Sequence, residues 1–276
     1  MLIERATPAE LADHIAARGV TVVSTAPTAY RAMLAAGKAD SLRGLRRPVS
    51  AGETLPASVW HAFHDATGVK IIDGIGSTEL LHIFISAADE AIRPGATGLA
   101  VPGYRALVLG ADGQPVPDGQ PGKLAVKGPT GCRYLADERQ RSYVSGGWNF
   151  TGDTYVRDAD GYFWYQARSD DMIVSSGYNI AGPEVEEVLL SHPRVAECGV
   201  VGLPDESRGQ VVTAFVVLSE GPPGDPELAA ELQDLVKQKI APYKYPRVVE
   251  FLPSLPRTNT GKLQRFRLRE QSGGKG

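Results

Sequence analysis

The first seventy or so residues alternate between a helical and a strand-like apolar period, and that alternation limits the fold more than any other feature of the chain. Thr7-Pro8-Ala9-Glu10 is a capping box with proline at the first helical position, and Leu11 and Ile15 continue it as an apolar stripe, so a helix starts here. Val20 to Val23 then read as a short buried strand. A second helix is predicted from Pro27 to Ala36, a strand near Val49, a third helix from Pro56 to Ala66 and a strand from Val69 to Ile72. Helix and strand in turn imply a parallel sheet covered by helices. The pattern enters the sheet with no strand before its first helix, so an upstream part is expected.

From Gly98 the texture changes to short strands and Gly/Pro turns: Leu99 to Val101, Arg105 to Leu109, the turn Ala111-Asp112-Gly113, then Lys123 to Lys127. This predicts a small antiparallel unit running to about Arg168. There a polar Ser169-Asp170-Asp171 turn separates an aromatic strand, Tyr162 to Tyr165, from an apolar one, Met172 to Val174. A turn built that way can pivot, and the small residues Ser175, Ser176 and Gly177 let a backbone or a thin ligand come close. Read plainly, it is an interdomain loop. Beyond it, Pro183 opens a helix whose first turn carries Glu184, Glu186 and Glu187, with Val185, Val188 and Leu189 on the buried face. Strands at Val195 to Val201, Val211 to Leu218 and Val248 to Leu252, with a helix from Pro226 to Ile240, complete a compact α+β domain. The Ser-Gly-Gly-Lys-Gly tail at 272–276 is expected to be disordered. The expected division is thus 1–97 as a partial α/β subdomain, 98–169 as an antiparallel β subdomain and 170–276 as an α+β domain.

A formal net charge of -3 with both signs interspersed gives no electrostatic reason to expect nucleic acid or a membrane surface as partner, and points to a small molecule. No apolar run is long enough to span a bilayer, and the first residues carry no signal-peptide pattern. Cys132 and Cys198 are far apart, without His or Cys at metal spacing, so a reducing cytoplasm is the simplest setting.

Four polar stretches can carry chemistry. Asp73-Gly74-Ile75-Gly76-Ser77-Thr78-Glu79 follows a predicted parallel strand, where open α/β sheets bind ligands; its glycines expose backbone N–H groups and Glu79 can hold a hard cation such as Mg2+. A plain turn before a helix N-cap explains the same residues. Thr151-Gly152-Asp153 places a carboxylate on a tight bend, suited to two vicinal ribose hydroxyls, though an Asp in a β-turn is the commoner use. Arg168 can clamp the same sugar or a phosphate, or be a paired surface group. Pro256-Arg257-Thr258-Asn259-Thr260-Gly261-Lys262 presents one lysine, either as part of a charged loop or as a cation for an anionic transition state. His82, beside Ile83-Phe84-Ile85, reads first as a core histidine.

In this order, Gly76-Ser77-Thr78-Glu79, Thr151-Gly152-Asp153, Arg168-Ser169-Asp170-Asp171 followed by Ser176-Gly177-Tyr178, and Pro256 through Lys262 resemble the adenylate-forming superfamily of acyl-CoA synthetases, peptide-synthetase adenylation domains and luciferases. Ser50-Ala51-Gly52-Glu53, the run from Gly74 to Ser86 with Leu81-His82-Ile83-Phe84, Gly131-Cys132-Arg133-Tyr134 and Ala241-Pro242-Tyr243-Lys244-Tyr245-Pro246 are similar to its benzoate-CoA and 2-aminobenzoate-CoA ligase branch. The resemblance implies an N-terminally truncated adenylate-forming fold, α/β plus α+β, with a mobile C-terminal domain. It implies ATP, Mg2+, coenzyme A and an aromatic carboxylic acid as reactants, with an aryl adenylate as intermediate. Lys262 and Thr78 would act on the carboxylate and phosphate, and Glu79 on Mg2+. Gly52, Glu53, Asp73, Gly74, Thr78, Asp153 and Arg168 would bind nucleotide, and Gly76, His82 and Ile83 the aryl group. Ser176, Gly177 and Tyr178 would line a pantetheine tunnel brought up by rotation at Asp170.

Two departures stand out. Ala167 takes the place of a glycine common before the arginine, and no Ser/Thr/Gly-rich phosphate loop ending in Pro-Lys occurs. About half of the family's large domain is then missing, which would expose an apolar sheet edge. Such a chain is inactive alone, or active only with a separate N-terminal half. Two other readings stay open: adenylation followed by transfer to a carrier-protein thiol, and a noncatalytic nucleotide-binding module.

Overall fold

Thr7 caps the first helix as its residue pattern requires: its hydroxyl accepts from the Glu10 N–H at 3.3 Å while its own N–H donates to the Glu10 carboxylate at 2.7 Å. The structure, a computed structural model, describes residues 6–131, 133–219, 221–258 and 261–273. Cys132, Asn259, Thr260 and the last three residues of the tail lie outside the described residues. The chain divides into two compact units, Met1–Tyr165 and Gln166–Gly276.

The first unit begins with α1 (Pro8–Ala17), β1 (Val22–Thr25), α2 (Pro27–Ala35), α3 (Ala39–Leu42), β2 (Arg47–Ser50), α4 (Ala57–Thr67) and β3 (Ile72–Gly76). The three strands pair in parallel, Val22 through Thr25 with Arg47 through Ser50, and Val49 and Ser50 with Ile72 and Asp73. There the parallel pattern stops. β4 (Ile83–Ser86) and β5 (Leu99–Ala100) finish the order β1-β2-β3-β4-β5, and each runs antiparallel to its predecessor. The sheet is therefore mixed, and Leu99–Ala100, expected in the small antiparallel unit, belongs to this one. The reason is length: 77–82 is too short for a parallel crossover of about a dozen residues. β1 is also not the buried strand expected from its valines; it is the edge of the sheet, and Val22 keeps 50 % of its surface.

Helix and sheet are joined by Tyr30, Met33, Leu42, Trp60, Phe63 and Ile71, all buried, each worth about 1.5–3 kcal/mol of transfer free energy. The two polar aromatic tips are satisfied on the sheet side: the Tyr30 hydroxyl donates to the Val49 carbonyl at 3.0 Å and the Trp60 indole N–H to that of Ile71 at 2.9 Å.

β3 does not stop at Ile72, as the apolar run suggests, but continues through the glycines to meet β4. A Cβ on Gly76 would lie 2.6 Å from the His82 carbonyl oxygen, and one on Gly74 would lie 2.8 Å from the Ile83 side chain. Both glycines are thus required by the approach of β4.

A second sheet holds β6 (Arg105–Leu109), β7 (Pro121–Lys127), β9 (Trp148–Arg157) and β10 (Phe163–Arg168) in the order β10-β9-β7-β6, after α5 (Arg139–Tyr143) and β8 (Val144–Ser145), which folds back on β9. The unit boundary falls inside β10. The two sheets are stitched where Thr97 N–H donates to the Phe163 carbonyl at 2.9 Å and Phe163 N–H to that of Gly98 at 2.8 Å. Leu80 and Phe84 from the first sheet's turn and strand pack with Leu124, Val126, Tyr155 and Phe163 of the second.

In the second unit, β11 (Ile173–Ser175) and β12 (Tyr178–Ile180) form a hairpin, followed by α6 (Gly182–Leu190), β13 (Val195–Asp205), β14 (Gly209–Leu218), α7 (Pro226–Lys239), β15 (Val248–Phe251) and α8 (Arg265–Gly273). The sheet order is β12-β11-β14-β13, with β15 parallel to β14. Strand alternation sorts the long hairpin into two cores: Val212, Ala214 and Val216 face α6 and α7, while Phe215 faces Leu255 and Leu268 of α8. Ser272 and Gly273, expected in a disordered tail, close α8; the helix is held by one buried leucine, Leu268, rather than by an apolar stripe.

The close approach at β3 makes a stability prediction. Gly76→Ala should cost about 1–3 kcal/mol, since the backbone carbonyl it meets cannot rotate away, whereas Gly113→Ala, with open space around it but a φ of 76°, should cost less. Denaturant midpoints of the two variants check the ranking.

Candidate functional site

Gly52 and Glu53 leave the end of β2, and Ser50 pairs in register with Asp73 on β3, so these positions share the carboxyl ends of neighbouring parallel strands. That is the usual ligand edge of an open α/β sheet. Gly52 has φ 92°, a conformation that favours glycine. Past β3, the Ser77 hydroxyl accepts from Leu80 N–H at 3.2 Å and caps a single 3-10 turn, Thr78–Leu80, which leaves Thr78 exposed.

Glu79 lies in that turn and is held by a residue far along the chain: the Tyr134 hydroxyl donates to its carboxylate at 2.8 Å. Tyr134 is itself fixed, by its N–H on Gln140 Oε1 at 2.7 Å and by an edge-on contact with Tyr143, whose hydroxyl is 3.4 Å from Ser77 Oγ. Burial pushes the Glu79 carboxyl up, but hydrogen bonds from its own backbone N–H, Tyr134, Ser77 and Tyr143 together prevail and leave it below the usual range. Glu79 is thus an ionised carboxylate, the donor a hard cation needs. Among the described residues no cluster of three or more metal-ligating side chains exists, so Glu79 would share such a cation with substrate oxygens.

His82 is exposed, which corrects its reading as a core histidine; the turn after Leu81, whose φ is 68°, carries it out of the apolar run. Ile83 behind it packs over Gly74.

Thr151-Gly152-Asp153 is not a turn. It lies inside the long strand β9, where Lys123 pairs with Thr154 and Ala125 with Phe150, so three residues bulge opposite one and Gly152 takes φ 79°. The bulge re-aims Asp153, which is buried at 7 % exposure and whose N–H donates to Thr151 Oγ1 at 3.2 Å. Neighbouring Tyr155 is fully enclosed, with its hydroxyl 3.3 Å from Thr97 Oγ1. Burial raises the phenol well above its ordinary pKa, and the charges of Asp153 and Asp73 push the same way. Tyr134 stands in the Gly131–Tyr134 stretch that resembles the ligase branch, but nothing there assigns it to Glu79; Tyr143 and Tyr155 carry no sequence signal that separates them from ordinary core or surface tyrosines.

Within the second unit, Asp171 N–H closes a turn onto the Arg168 carbonyl at 3.0 Å. The two adjacent carboxylates of that turn go separate ways: Asp170 lies 3.6 Å from Arg168 Nε, and Asp171 is bound by Arg269 of α8. Ser176 and Gly177, with φ 50° and 81°, form the two-residue corner of the β11–β12 hairpin, and both values match the mirror-image turn that tight hairpins favour. Arg208 donates to Ser176 Oγ at 3.0 Å, and no atom lies within 4 Å of a Cβ placed on Gly177. Tyr178 is half exposed and stacks on Tyr243 with ring centroids 4.3 Å apart. Lys262 is exposed, and its backbone is tied by Thr258: the Lys262 N–H donates to Thr258 Oγ1 at 3.1 Å and its carbonyl accepts from Thr258 N–H at 2.8 Å.

Asp73 supplies the most unusual electrostatics. Its Oδ1 is sealed from solvent and makes no hydrogen bond among the described residues. Burial pushes the carboxyl up to about 8; Gly74 N–H and the nearby Ser50 hydroxyl, short of a formed hydrogen bond, pull the other way without cancelling it. The fold thus retains a proton that the unfolded chain releases near pH 4, so this group's contribution is full below that pH and is lost as pH rises towards 8. Asp73→Asn should therefore stabilise the first unit more at pH 9 than at pH 5, by at least about 1.4 kcal/mol, the equivalent of one pKa unit. Thermal unfolding of both proteins at the two pH values measures it.

Comparison with known proteins agrees with this geometry. The AMP-binding enzyme family matches residues 1–134 and the AMP-binding enzyme C-terminal domain matches residues 184–262. Benzoate–CoA ligase of Thauera aromatica is 40% identical over 275 residues, which is 98% of this chain and 52% of the relative. The crystal structure of the anthranilate CoA ligase AuaEII in complex with anthranoyl-AMP superimposes with a TM-score of 0.92 at 41% identity, over 98% of this chain and 54% of that one. A benzoate CoA ligase from Burkholderia xenovorans LB400 does so with a TM-score of 0.89 at 39% identity, over 96% and 54%. The chain spans about half the length of the relatives it matches. With these sheets, these carboxylates and matches along nearly all of its length, it belongs to the AMP-binding, adenylate-forming enzyme family.

Proposed function

We propose that this chain is the C-terminal part of an ATP-dependent, AMP-forming aryl carboxylate–CoA ligase of the benzoate or 2-aminobenzoate class. The observation that carries the reading is the ionised Glu79 carboxylate, held by the Tyr134 hydroxyl at 2.8 Å just past the carboxyl end of β3, in a chain similar along 98% of its length to a benzoate–CoA ligase and to a structure holding an aryl adenylate. Residues 1–97 and 98–169 would be subdomains of the large nucleotide-binding domain and 170–276 its lid, turning at Asp170; the cytoplasm is the proposed compartment.

In the first step, a carboxylate oxygen attacks the α-phosphorus of ATP and pyrophosphate leaves. Negative charge grows on the α-phosphate oxygens, and the Lys262 ammonium and the Thr78 hydroxyl supply a cation and a donor there. Glu79, ionised and oriented by Tyr134, suits Mg2+, which when bound neutralises phosphate charge. Gly52, Glu53, Asp73 and Gly74 would lie along the base, and Asp153 with Arg168 at the ribose. Asp73, whose burial pushes its carboxyl up to about 8, can donate as well as accept towards a base. Gly76, His82 and Ile83 would border the aryl ring.

In the second step, the coenzyme A sulfur attacks the acyl carbon, the carbon–oxygen bond to AMP breaks, and the thiol proton is lost. The Ser176-Gly177 corner, open on the Gly177 side and followed by exposed Tyr178, suits a thin pantetheine chain.

The test supplies the chain with the N-terminal half of a benzoate–CoA ligase and measures acid-dependent pyrophosphate release. Release is expected with benzoate or 2-aminobenzoate, and Lys262→Ala should lower it about 100-fold or more while sparing thioester formation from added aryl adenylate. Association of the halves without release on any aromatic acid would sink the proposal. Thioester on a carrier protein but not on free coenzyme A would favour carrier loading, and nucleotide binding without turnover a noncatalytic module.

A further inference from the structure

The loop that carries Lys262 is held by an arginine that no part of the functional reading uses. Arg257 donates through Nε and Nη2 to Glu197 Oε2 on β13, at 3.2 and 2.7 Å, and through Nη1 to the carbonyl of Gly261 at 2.6 Å. One planar guanidinium therefore connects a sheet strand to the peptide that immediately precedes Lys262. Around it the loop is closed by backbone links: Thr258 and Lys262 bond to each other twice, Arg257 bridges to Leu263, and Gln264 N–H donates to the Pro256 carbonyl at 2.9 Å.

The far side of Lys262 is fixed separately. Leu263 packs with the core of Phe215, Leu255 and Leu268. Arg265 donates to both oxygens of Glu186 on α6, with Nη2 to Oε2 at 2.9 Å, and Arg269 holds Asp171, next to the proposed pivot. With that side anchored, the Arg257 guanidinium decides where the near side of the lysine starts.

We infer that Arg257 is a positioning residue for Lys262: by spanning Glu197 and the Gly261 carbonyl it sets the direction in which the ammonium leaves the loop. The inference rests on Lys262 acting in adenylate formation. Stability alone does not account for the arrangement, because a pair left partly in solvent, with Arg257 at 24% and Glu197 at 41% of side-chain surface, adds only about 1 kcal/mol or less to the fold. Geometry matters more, since misplacing a reacting group by about 1 Å can cost on the order of 100-fold in rate. A lysine at 257 keeps the charge but offers one compact ammonium in place of the fork, and cannot reach both acceptors in the same way.

The test uses the chain with a supplied N-terminal half and follows the two half-reactions separately. Arg257→Gln and Arg257→Lys should each lower the adenylation turnover about 10- to 100-fold, with KM for ATP and acid changed less than about 2-fold and thioester formation from added aryl adenylate unchanged. Glu197→Gln should fall between wild type and Arg257→Gln. In the chain by itself, hydrogen exchange at the Gly261 and Lys262 amides should quicken in Arg257→Gln with little change in Tm. Unchanged adenylation in Arg257→Gln, while Lys262→Ala abolishes it, overturns the inference. So does an equal loss of both half-reactions, or a fallen Tm, in the glutamine, lysine and Glu197→Gln variants alike, which would make the arginine structural. If Lys262→Ala leaves adenylation intact, the assignment of Lys262 fails first, and the two failures are told apart.

Discussion

Everything in the first unit depends on one strand that keeps two kinds of company. β3 pairs in parallel with β2 through Ile72 and Asp73 and antiparallel with β4 through Gly74, Ile75 and Gly76. The change of partner brings Ser77, Thr78 and Glu79 to the edge where Gly52 and Glu53 already lie, because the chain must reverse there at once. The Thr97–Phe163 bonds join this sheet to the second, whose β9 bulges at Thr151 to Asp153.

The glycines of this strand show how packing and chemistry share residues. In sequence, Gly74 and Gly76 read as exposed backbone N–H groups at a ligand edge. In the fold each also removes a Cβ that would strike β4. Glu79 shows the complementary case: hydroxyl and amide donors hold its carboxyl below the usual range against a burial that works in the opposite direction. A carboxylate prepared by neutral donors keeps its charge available for an incoming cation.

Much of this was legible from local pattern. Thr7 with Glu10, Pro27 and Pro226 announce their helices through caps and fixed φ, which act within a few residues; the Ser176-Gly177 corner read only as small residues, and its hairpin appears with the pairing of β11 and β12. What could not be read depends on partners far along the chain. Thr151-Gly152-Asp153 looks like a turn until the register with β7 shows a bulge; Leu99 looks like the start of a new sheet until it pairs with β4. α8 lacks a stripe because a single leucine and two arginines hold it, and the role of Tyr134 on Glu79 spans 55 positions. The motifs were legible; the groups that orient them were not.

The ion pairs that tie the Lys262 loop and α8 to the rest of the unit are long in sequence: Arg257 to Glu197 spans 60 positions, Arg265 to Glu186 spans 79, and Arg269 to Asp171 spans 98. During synthesis each partner upstream leaves the ribosome well before the arginine that grips it. The β13–β14 hairpin and α6 can collapse first, but the loop around Lys262 is fastened to them only after the later arginines and α8 have emerged. A nascent chain therefore carries a nearly complete sheet before that loop is tied to it.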